Sequence, residues 1–204
     1  MIDQSPILDT INEEPPQIHE PGFIGKLGIL LLEFIKIAVL AGITIGFVRY
    51  FLFKPFYVKG QSMEPTFEER DYLIIDELSY RFHEPSRGDV IVLHYRPSDD
   101  YYLKRIIGLP GERIKVDGNK VVIYNEAHPQ GMVLPEGYLT EATPGSVTIT
   151  LGNDQFFVMG DNRDASFDSR RFGAIDRDDV VGRVWVRGWP FSRVSTFSRP
   201  SYNL

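Results

Sequence analysis

The chain has 204 residues, of which 43% are hydrophobic and 25% charged, so it is neither disordered nor fibrous and has room for one domain with an additional segment. Its net charge of −6 argues against nucleic acid as a partner, because phosphate binding needs a basic surface. Its lack of cysteine excludes disulfides, thiolate metal ligands and a cysteine nucleophile.

The first segment, residues 1–26, is acidic and rich in proline. It holds five acidic residues and one lysine, so it carries −4 of the net charge of −6. Apolar residues do not recur there at a regular interval, which predicts a disordered tail. A secretory signal would begin with a basic region, so we do not expect this segment to act as one.

Residues 27–54 are predicted to form one membrane-spanning anchor. The uncharged centre, residues 37–48, rises only ~18 Å as a helix, whereas the bilayer core is ~30 Å thick. Lys36 and Arg49 extend the span if their side chains reach opposite interfaces, and Glu33 can pair with Lys36. The aromatic residues that follow are typical of a membrane interface, but the basic residues on the two sides are too balanced to decide orientation. A buried core helix is disfavoured, because the chain that follows offers no helical partner.

Residues 55–204 are predicted to form a mainly β domain of antiparallel sheets. Eight short segments are rich in β-branched and aromatic residues and are bounded by Gly, Pro, Asp or Asn. The sequence from about residue 109 to residue 155 is typical of a small β lobe inserted between two strands, and residues 191–204 are expected to fray. The predicted strands are YLIIDEL (72–78), DVIVLHY (89–95), YYLKRIIGL (101–109), RIKV (113–116), KVVIY (120–124), SVTITL (146–151), QFFVMG (155–160) and VVGRVWVRG (180–188).

Three segments carry residue types that catalysis needs. The first, GQSMEPT at residues 60–66, puts Ser62 in a turn where its hydroxyl can be exposed. The second, YYLKRIIGLPGE at residues 101–112, places Lys104 between apolar neighbours on one face of a strand. The third is GDNRDASFDSR at residues 160–170. Each segment taken alone is explained as well by ordinary structure, such as a turn serine or an edge-strand lysine.

No metal or other cofactor is expected. The four histidines are scattered and lack the spacing of metal ligands. Asp164, Ser166 and Asp168 have the spacing that begins a calcium loop, but the glycine at its sixth position and the glutamate at its twelfth are missing.

Taken together and in this order, the segments resemble the type I signal peptidases. The resemblance runs from about residue 34 to residue 189 and rests on the anchor followed by GQSMEPTF, RGDVIVLHY, YYLKRIIGLPGE and VMGDNRDASFDSRRFG. It implies the antiparallel β fold of that family and a membrane-anchored Ser–Lys serine protease, with its N-terminus in the cytoplasm and its catalytic domain on the trans side. The implied partners are signal peptides of exported precursors, the lipid bilayer and the secretion translocon.

The resemblance also implies a role for each matching residue. Ser62 would be the nucleophile, its backbone amide would bind the oxyanion, and Lys104 would be the general base. Ser166 would orient the lysine amine. Some relatives have a second oxyanion donor, a serine two residues before the nucleophile, where this chain has Gly60. Arg105, Asp161, Asp168 and Arg170 would form salt bridges around the site, and Val58, Met63, Tyr102 and Leu103 would line the substrate pocket.

A lysine can serve as the base only if its pKa is lowered. A serine attacks a carbonyl when a base takes its proton, and lysine ordinarily titrates near 10.4. Burial among apolar side chains lowers that pKa, provided that no carboxylate pairs with the amine. We expect Arg105, on the opposite strand face, to bind nearby acids such as Asp161.

Two other functions stay open. Ser62 with Asp89 and either His94 or His83 would make a Ser–His–Asp protease, which is the one candidate that needs histidine. Alternatively, the chain is a catalytically inactive, membrane-tethered β domain that binds exported proteins. The joint presence of the three motifs disfavours the inactive domain, because such a protein would be free to lose them.

Overall fold

The computed structural model of the chain describes residues 22–51, 53–200 and 202, without the side chains of residues 48–54. Residues 1–21 of the tail predicted for residues 1–26 therefore lie outside the described residues. The chain divides into two compact units, with the boundary between Ile45 and Gly46.

The first helix, α1, spans Phe23–Phe51. It begins four residues before the predicted anchor, because Phe23 and Ile24 extend the apolar run back to the Pro21-Gly22 pair. The part from Phe23 to Phe47 is long and apolar enough to cross a membrane, and none of its most apolar window is buried. This exposure disfavours a core helix. The predicted roles of Arg49 and of the first aromatic residues fall on side chains outside those described.

The rest of the chain is mainly β, as predicted. Twelve strands and one short helix follow α1. They are β1 (Phe53–Tyr57), β2 (Tyr72–Asp76), β3 (Val90–Tyr95), β4 (Asp100–Gly108), β5 (Arg113–Asp117), β6 (Lys120–Tyr124), β7 (Met132–Val133), β8 (Val147–Thr150), β9 (Gln155–Met159), α2 (Ser169–Phe172), β10 (Ile175–Asp176), β11 (Val180–Trp189) and β12 (Ser195–Thr196).

The larger sheet has eight antiparallel strands. Seven follow the order β1-β2-β11-β3-β4-β9-β10, and β12 pairs with β11. Strand β1 begins where the predicted anchor ends, so residues 53–54 belong to the sheet and not to the helix. Pro55 is tolerated there because β1 is an edge strand, where a missing N–H breaks no ladder. The strand that joins the two halves of the sheet, β11, comes late in the chain.

The smaller sheet has four strands in the order β7-β6-β5-β8 and lies between β4 and β9 in the chain. It occupies part of the lobe expected at residues 109–155. The turn between β5 and β6 holds Gly118 and Asn119 at positive φ, 54° and 69°. Two such residues give a turn whose twist matches that of the flanking strands. The DGN sequence therefore accounts for this hairpin.

Strand β4 runs through the apolar core. Leu103 packs in a cluster with Val58 and Met63, whereas Ile106 and Ile107 pack in two other clusters. Side chains of a strand alternate between its faces, so β4 contributes to the core on both sides. The strand that carries the candidate base is therefore held rigidly.

The last described residues are packed, and the expectation that they fray is wrong. The ring of Phe197 lies 4.4 Å from that of Phe67, and Arg199 Nε donates to Asp89 at 2.6 Å. Tyr202 packs so closely on Gly88 that a side chain there would meet its ring at 2.8 Å. The segment lacks a periodic pattern, yet its aromatic and basic side chains have buried partners far away in sequence.

Candidate active site

Ser62 lies in the loop between β1 and β2. Backbone hydrogen bonds close the base of this loop, from Val58 N to Asp71 O at 2.9 Å and from Arg70 N to Val58 O at 3.0 Å. Gly60 has a φ of +81°, a conformation that a serine adopts only with strain. The backbone of this loop therefore favours glycine at the position where some relatives have a second oxyanion donor.

Asp71 is fully buried and holds the same loop in place by its hydrogen bonds. Its Oδ2 accepts from Glu68 N at 3.1 Å and from Arg187 Nη1 at 3.0 Å, and its Oδ1 accepts from Arg193 Nη2 at 2.7 Å. Arg187 also donates to the carbonyl of Thr66 at 3.1 Å. Side chains from β11 and the segment after it thus hold the loop that carries Ser62. The sequence did not predict this arrangement, because neither Asp71 nor Arg187 belongs to a motif.

Lys104 and Ser62 are in direct contact. Lys104 Nζ donates to Ser62 Oγ at 2.9 Å. The lysine is 3% exposed, and its strand partner Ile91 and its neighbour Ile106 are fully buried. Two residues 42 positions apart are therefore brought together at a boundary between apolar core and solvent.

Burial lowers the pKa of Lys104 from its ordinary value near 10.5 to about 8. The charges of Asp168 and then Asp161 act in the opposite direction, and Arg170 assists the lowering. Both acids bind arginines, and among the described residues neither forms an ion pair with Lys104. A substantial share of the amine is therefore neutral at mildly alkaline pH.

Arg105 is the partner of Asp161. Its Nε and Nη2 donate to the two carboxylate oxygens at 2.8 and 2.6 Å, and its Nη1 donates to the carbonyl of Gly88 at 2.9 Å. Burial opposes the charge of Arg105, but the hydrogen bonds and charge of Asp161 raise its pKa overall. Thr66 Oγ1 donates to the same carboxylate at 2.6 Å, which links the pair to the loop that carries Ser62.

Asp168 and Arg170 form the second buried ion pair beside the lysine. Arg170 donates from Nε and Nη2 to the two oxygens of Asp168 at 2.9 and 2.8 Å, and Gly160 N donates to Asp168 Oδ2 at 3.1 Å. Burial alone would raise the pKa of Asp168, but Arg170 lowers it overall. The carboxylate therefore stays charged and fixes the turn that follows β9.

Gly160 and Asn162 lie against the carbonyl of Ser62, and neither was among the predicted site residues. Asn162 N donates to the carbonyl of Ser62 at 3.1 Å. A Cβ on Gly160 would lie 2.3 Å from Ser166 Oγ and 2.4 Å from the Ser62 carbonyl oxygen, so no side chain fits. The glycine that opens the GDN segment was the available signal, because a glycine inside a motif often marks a close approach of two backbones.

Ser166 is buried beside Gly160, and its hydroxyl lies near the carboxylate of Asp168, whose pKa it helps to lower, but it forms no hydrogen bond of ordinary length and angle with a described residue. The hydrogen bond to Lys104 that the resemblance implies is not formed in this arrangement. Its orienting role stays a prediction, although a buried hydroxyl that no hydrogen bond of ordinary geometry holds is available to an amine that turns towards it.

A cavity of about 320 Å³ opens beside Ser62 and Lys104. It lies between the end of β1 and the first half of β4, and the four predicted pocket residues all line it. The lining residues are Phe56, Tyr57, Val58, Lys59, Ser62, Met63, Asp100, Tyr101, Tyr102, Leu103 and Lys104.

The residues of the histidine-based alternative are not assembled. His94 Nε2 lies 2.7 Å from Asp99, and His83 faces the carbonyl of Ser79. Asp89 accepts from Tyr80, Ser86 and Arg199. A Ser–His–Asp triad built on Ser62 is therefore wrong. Across residues 22–51, 53–200 and 202, no group of three or more acidic or histidine side chains could hold a metal ion.

Comparisons with known proteins agree with the motifs. A family model described as "Signal peptidase, peptidase S26" matches residues 31–189. The chain is 36% identical over 183 residues to a signal peptidase I of Leptolyngbya laminosa, covering 83% of this chain and 85% of that one. It is 36% identical over 177 residues to signal peptidase IB of Staphylococcus aureus, covering 79% and 91%. A solved signal peptidase I of Enterococcus faecalis V583 is 29% identical and matches 50% of this chain and 97% of that chain with a TM-score of 0.43. The family match and the two sequence alignments establish that the chain belongs to the signal peptidase family, peptidase S26.

Proposed function

We propose that this protein is a membrane-anchored serine endopeptidase that removes signal peptides from exported precursors, with Ser62 as nucleophile and Lys104 as general base. One observation carries the assignment of these roles. Lys104 Nζ lies 2.9 Å from Ser62 Oγ, and the lysine is buried where the nearby acids are bound by arginines. Such surroundings favour a neutral amine that can accept a proton.

The reaction proceeds in two steps. Neutral Lys104 takes the hydroxyl proton as Ser62 Oγ attacks the carbonyl carbon of the scissile peptide bond. The protonated amine then gives this proton to the leaving nitrogen, the C–N bond breaks, and the mature chain departs with a free amino terminus. The signal peptide remains as an ester on Ser62, and a water molecule deprotonated by the same amine hydrolyses it.

The transition state needs a donor for the developing oxyanion. We assign the backbone amide of Ser62 to this role, because the amide of a nucleophilic serine is fixed beside the carbonyl that it attacks. The position of Gly60 supplies no hydroxyl. Ser166 is proposed to receive the Lys104 amine when the hydroxyl of Ser62 turns to the substrate, and its buried oxygen, which no hydrogen bond of ordinary geometry holds, supports this role.

The cavity supports small residues on the signal-peptide side of the bond. Val58, Met63 and Leu103 are buried and restrict its depth. The residues before a signal-peptide cleavage site follow an A-x-A-like pattern of small side chains. Such residues fit against the buried apolar side chains of this cavity.

The anchor and the substrate define where the enzyme works. Helix α1 is suited to anchor the chain in a membrane. We propose that the N-terminus is cytoplasmic and that the catalytic domain acts on the trans side, where the cleavage sites of exported precursors emerge. The secretion translocon is the proposed source of the substrate.

A precursor-cleavage assay on the full-length protein in detergent tests the proposal. We expect the wild type to shorten a precursor at the end of its signal peptide, and Ser62→Ala and Lys104→Ala to be inactive while retaining the fold. A variant with all four histidines replaced by glutamine is the control and is expected to stay active. Near-native turnover by Lys104→Ala would contradict the dyad, and failure of the wild type to cleave would favour an inactive binding domain.

A further inference from the structure

Four aromatic rings pack together beside the candidate site, and we call Tyr95, Tyr102, Phe167 and Phe172 the aromatic shelf. Tyr95 stacks on Tyr102 with ring centroids 5.4 Å apart and also contacts Phe172 at 5.2 Å. Phe167 lies 5.3 Å from Phe172 and meets Tyr102 edge-on at 6.2 Å. These separations are typical of packed aromatic pairs. Phe167 nevertheless stays 41% exposed, so its ring offers apolar surface to solvent.

The aromatic shelf is continuous with the substrate cavity. Tyr102 belongs to both, since it lines the cavity beside Ser62 and also contacts Phe167. Lys104 Nζ lies 5.5 Å from the centre of the Tyr102 ring. Phe167 itself does not line the cavity. The shelf therefore starts next to the amine and extends away from the pocket that holds the signal-peptide side of the substrate.

The route of the substrate follows from the proton transfer. The base that takes the proton of the serine also protonates the leaving nitrogen, so the leaving segment must pass close to Lys104 Nζ. That segment is the beginning of the mature chain. Because alternate residues of an extended peptide point to the same side, one of the first two mature residues faces the shelf.

We propose that the aromatic shelf, with Phe167 at its exposed end, is a subsite for an apolar side chain at one of the first two residues of the mature protein. This inference rests on the proposed function. Leucine, methionine or an aromatic residue gains contact with the ring faces and edges, whereas a charged residue loses hydration there and gains no contact of equal value. Phe167 is thus a specificity-determining residue and not a catalytic one.

Pairs of precursor peptides test the subsite. Within each pair, the two peptides are identical up to the scissile bond and differ in one residue after it. In the first pair this residue, leucine or serine, is at the first mature position, and in the second pair it is at the second. We expect the full-length wild type to prefer leucine at one of these positions by about five-fold in kcat/KM, the size of one aromatic contact. Phe167→Ala should lower kcat/KM for the leucine peptide to the value of the serine peptide. The value for the serine peptide should not change. Phe82→Ala is the matched control, since Phe82 is 75% exposed and lies outside the shelf and the cavity.

Several results would overturn the subsite. Equal cleavage of both peptides by the wild type, or equal loss of both in Phe167→Ala, would reduce Phe167 to a structural residue. Should Phe167→Ala not fold, Phe172→Ala is the second test, since it removes a ring that packs against Phe167. We expect it to weaken the preference for leucine, and an unchanged preference would contradict the shelf. Wild-type protein that cleaves neither peptide nor any full-length precursor would instead overturn the proposed function and, with it, the subsite.

Discussion

Lys104 and Arg105 are neighbours on β4, are almost equally buried at 3% and 4% exposure, and have opposite surroundings. Arg105 is held by both oxygens of Asp161 and by the carbonyl of Gly88, and these contacts raise its pKa. Lys104 faces apolar side chains and the hydroxyl of Ser62, and burial lowers its pKa to about 8.

The alternation of a β-strand explains how two adjacent cations can differ so much. Successive side chains point to opposite faces, so Asp161 can neutralise Arg105 without pairing with Lys104. The residue types also differ in what burial can do to them, because a guanidinium stays protonated in proteins whereas an amine can lose its proton. The strand therefore uses one cation to hold an acid in place and leaves the other without an acidic partner, as its proposed role as a base requires.

The largest effect is expected from Lys104→Met, which keeps the length of the side chain and removes the base. We expect kcat to fall by at least about a thousand-fold, within the range that general-base catalysis supplies. The free energy of unfolding at pH 7 should rise, because a buried charge without an acidic partner is lost. Precursor cleavage and denaturant unfolding measure the two effects. Lys115→Met in the lobe is the control and should leave activity unchanged.

Gly160→Ala comes next, because its new Cβ would push on Ser166 and on the carbonyl of Ser62. A displacement of about 1 Å at a catalytic group can lower the rate about a hundred-fold, and we expect a loss of that size in kcat. Gly152→Ala, just before the other end of β9, is a matched control, since its Cβ would meet its nearest neighbour, Gln155, at 3.4 Å. Equal activity of the two variants would mean that the site tolerates this movement.

Arg105→Met tests the paired cation, because it leaves Asp161 buried without its partner. We expect the free energy of unfolding to fall by about 3–5 kcal/mol, as for other broken buried pairs. The remaining charge of Asp161 should also raise the pKa of Lys104 and move the pH profile of kcat/KM to higher pH. Arg183→Met is the control, since Arg183 pairs with Asp76 in a more exposed position and should cost less.

The pH dependence of activity and stability tests whether burial lowers the pKa of Lys104. Because the amine accepts a proton only when neutral, kcat/KM should rise about ten-fold per pH unit at acidic pH and level off above pH 8. The unfolded lysine titrates near 10.5, so the unfolded state binds more protons between pH 8 and pH 10.5 and stability rises with pH across that window. A profile still climbing at pH 10 would show that burial does not lower the pKa of Lys104.

Asp168→Asn has the smallest expected effect. Asp168 contributes a negative charge that raises the pKa of Lys104, so its neutralisation should lower that pKa and move the rising part of the kcat/KM profile to lower pH. We expect a shift of less than about one pH unit, since burial remains the main influence. A shift to higher pH would mean that the loss of the Arg170 contact lets water reach the amine.

Much of the larger sheet could be predicted because its long strands carry β-branched residues between turn residues. The predicted segments for β3, β9 and β11 differ from the observed strands by one residue at one end, and the segment for β4 is shifted by one residue. The strands β7, β10 and β12 were missed because two residues are too few to show alternation. Strand β1 was missed because its aromatic residues and its proline resemble the end of a membrane anchor.

The candidate site was predictable where a motif carries it and not where distant residues complete it. Ser62, Lys104 and Asp161 stand in segments whose residue types indicate chemistry. The contact of Asp71 with Arg187 spans 116 positions, and neither residue belongs to a motif. The aromatic shelf was missed for a different reason: its rings stand in three motif segments, but the sequence does not show that these segments pack side by side.

The place of β11 in the sheet has a consequence for biosynthesis. The loop with Ser62 belongs to the β1–β2 hairpin and Lys104 to the β3–β4 hairpin, and β11 pairs with β2 on one edge and with β3 on the other. A ribosome makes residues 180–189 long after both hairpins. The nascent polypeptide thus holds the alcohol and the amine on separate pieces until β11 has been made, and with Ser62 and Lys104 in their proposed roles it is inert until then.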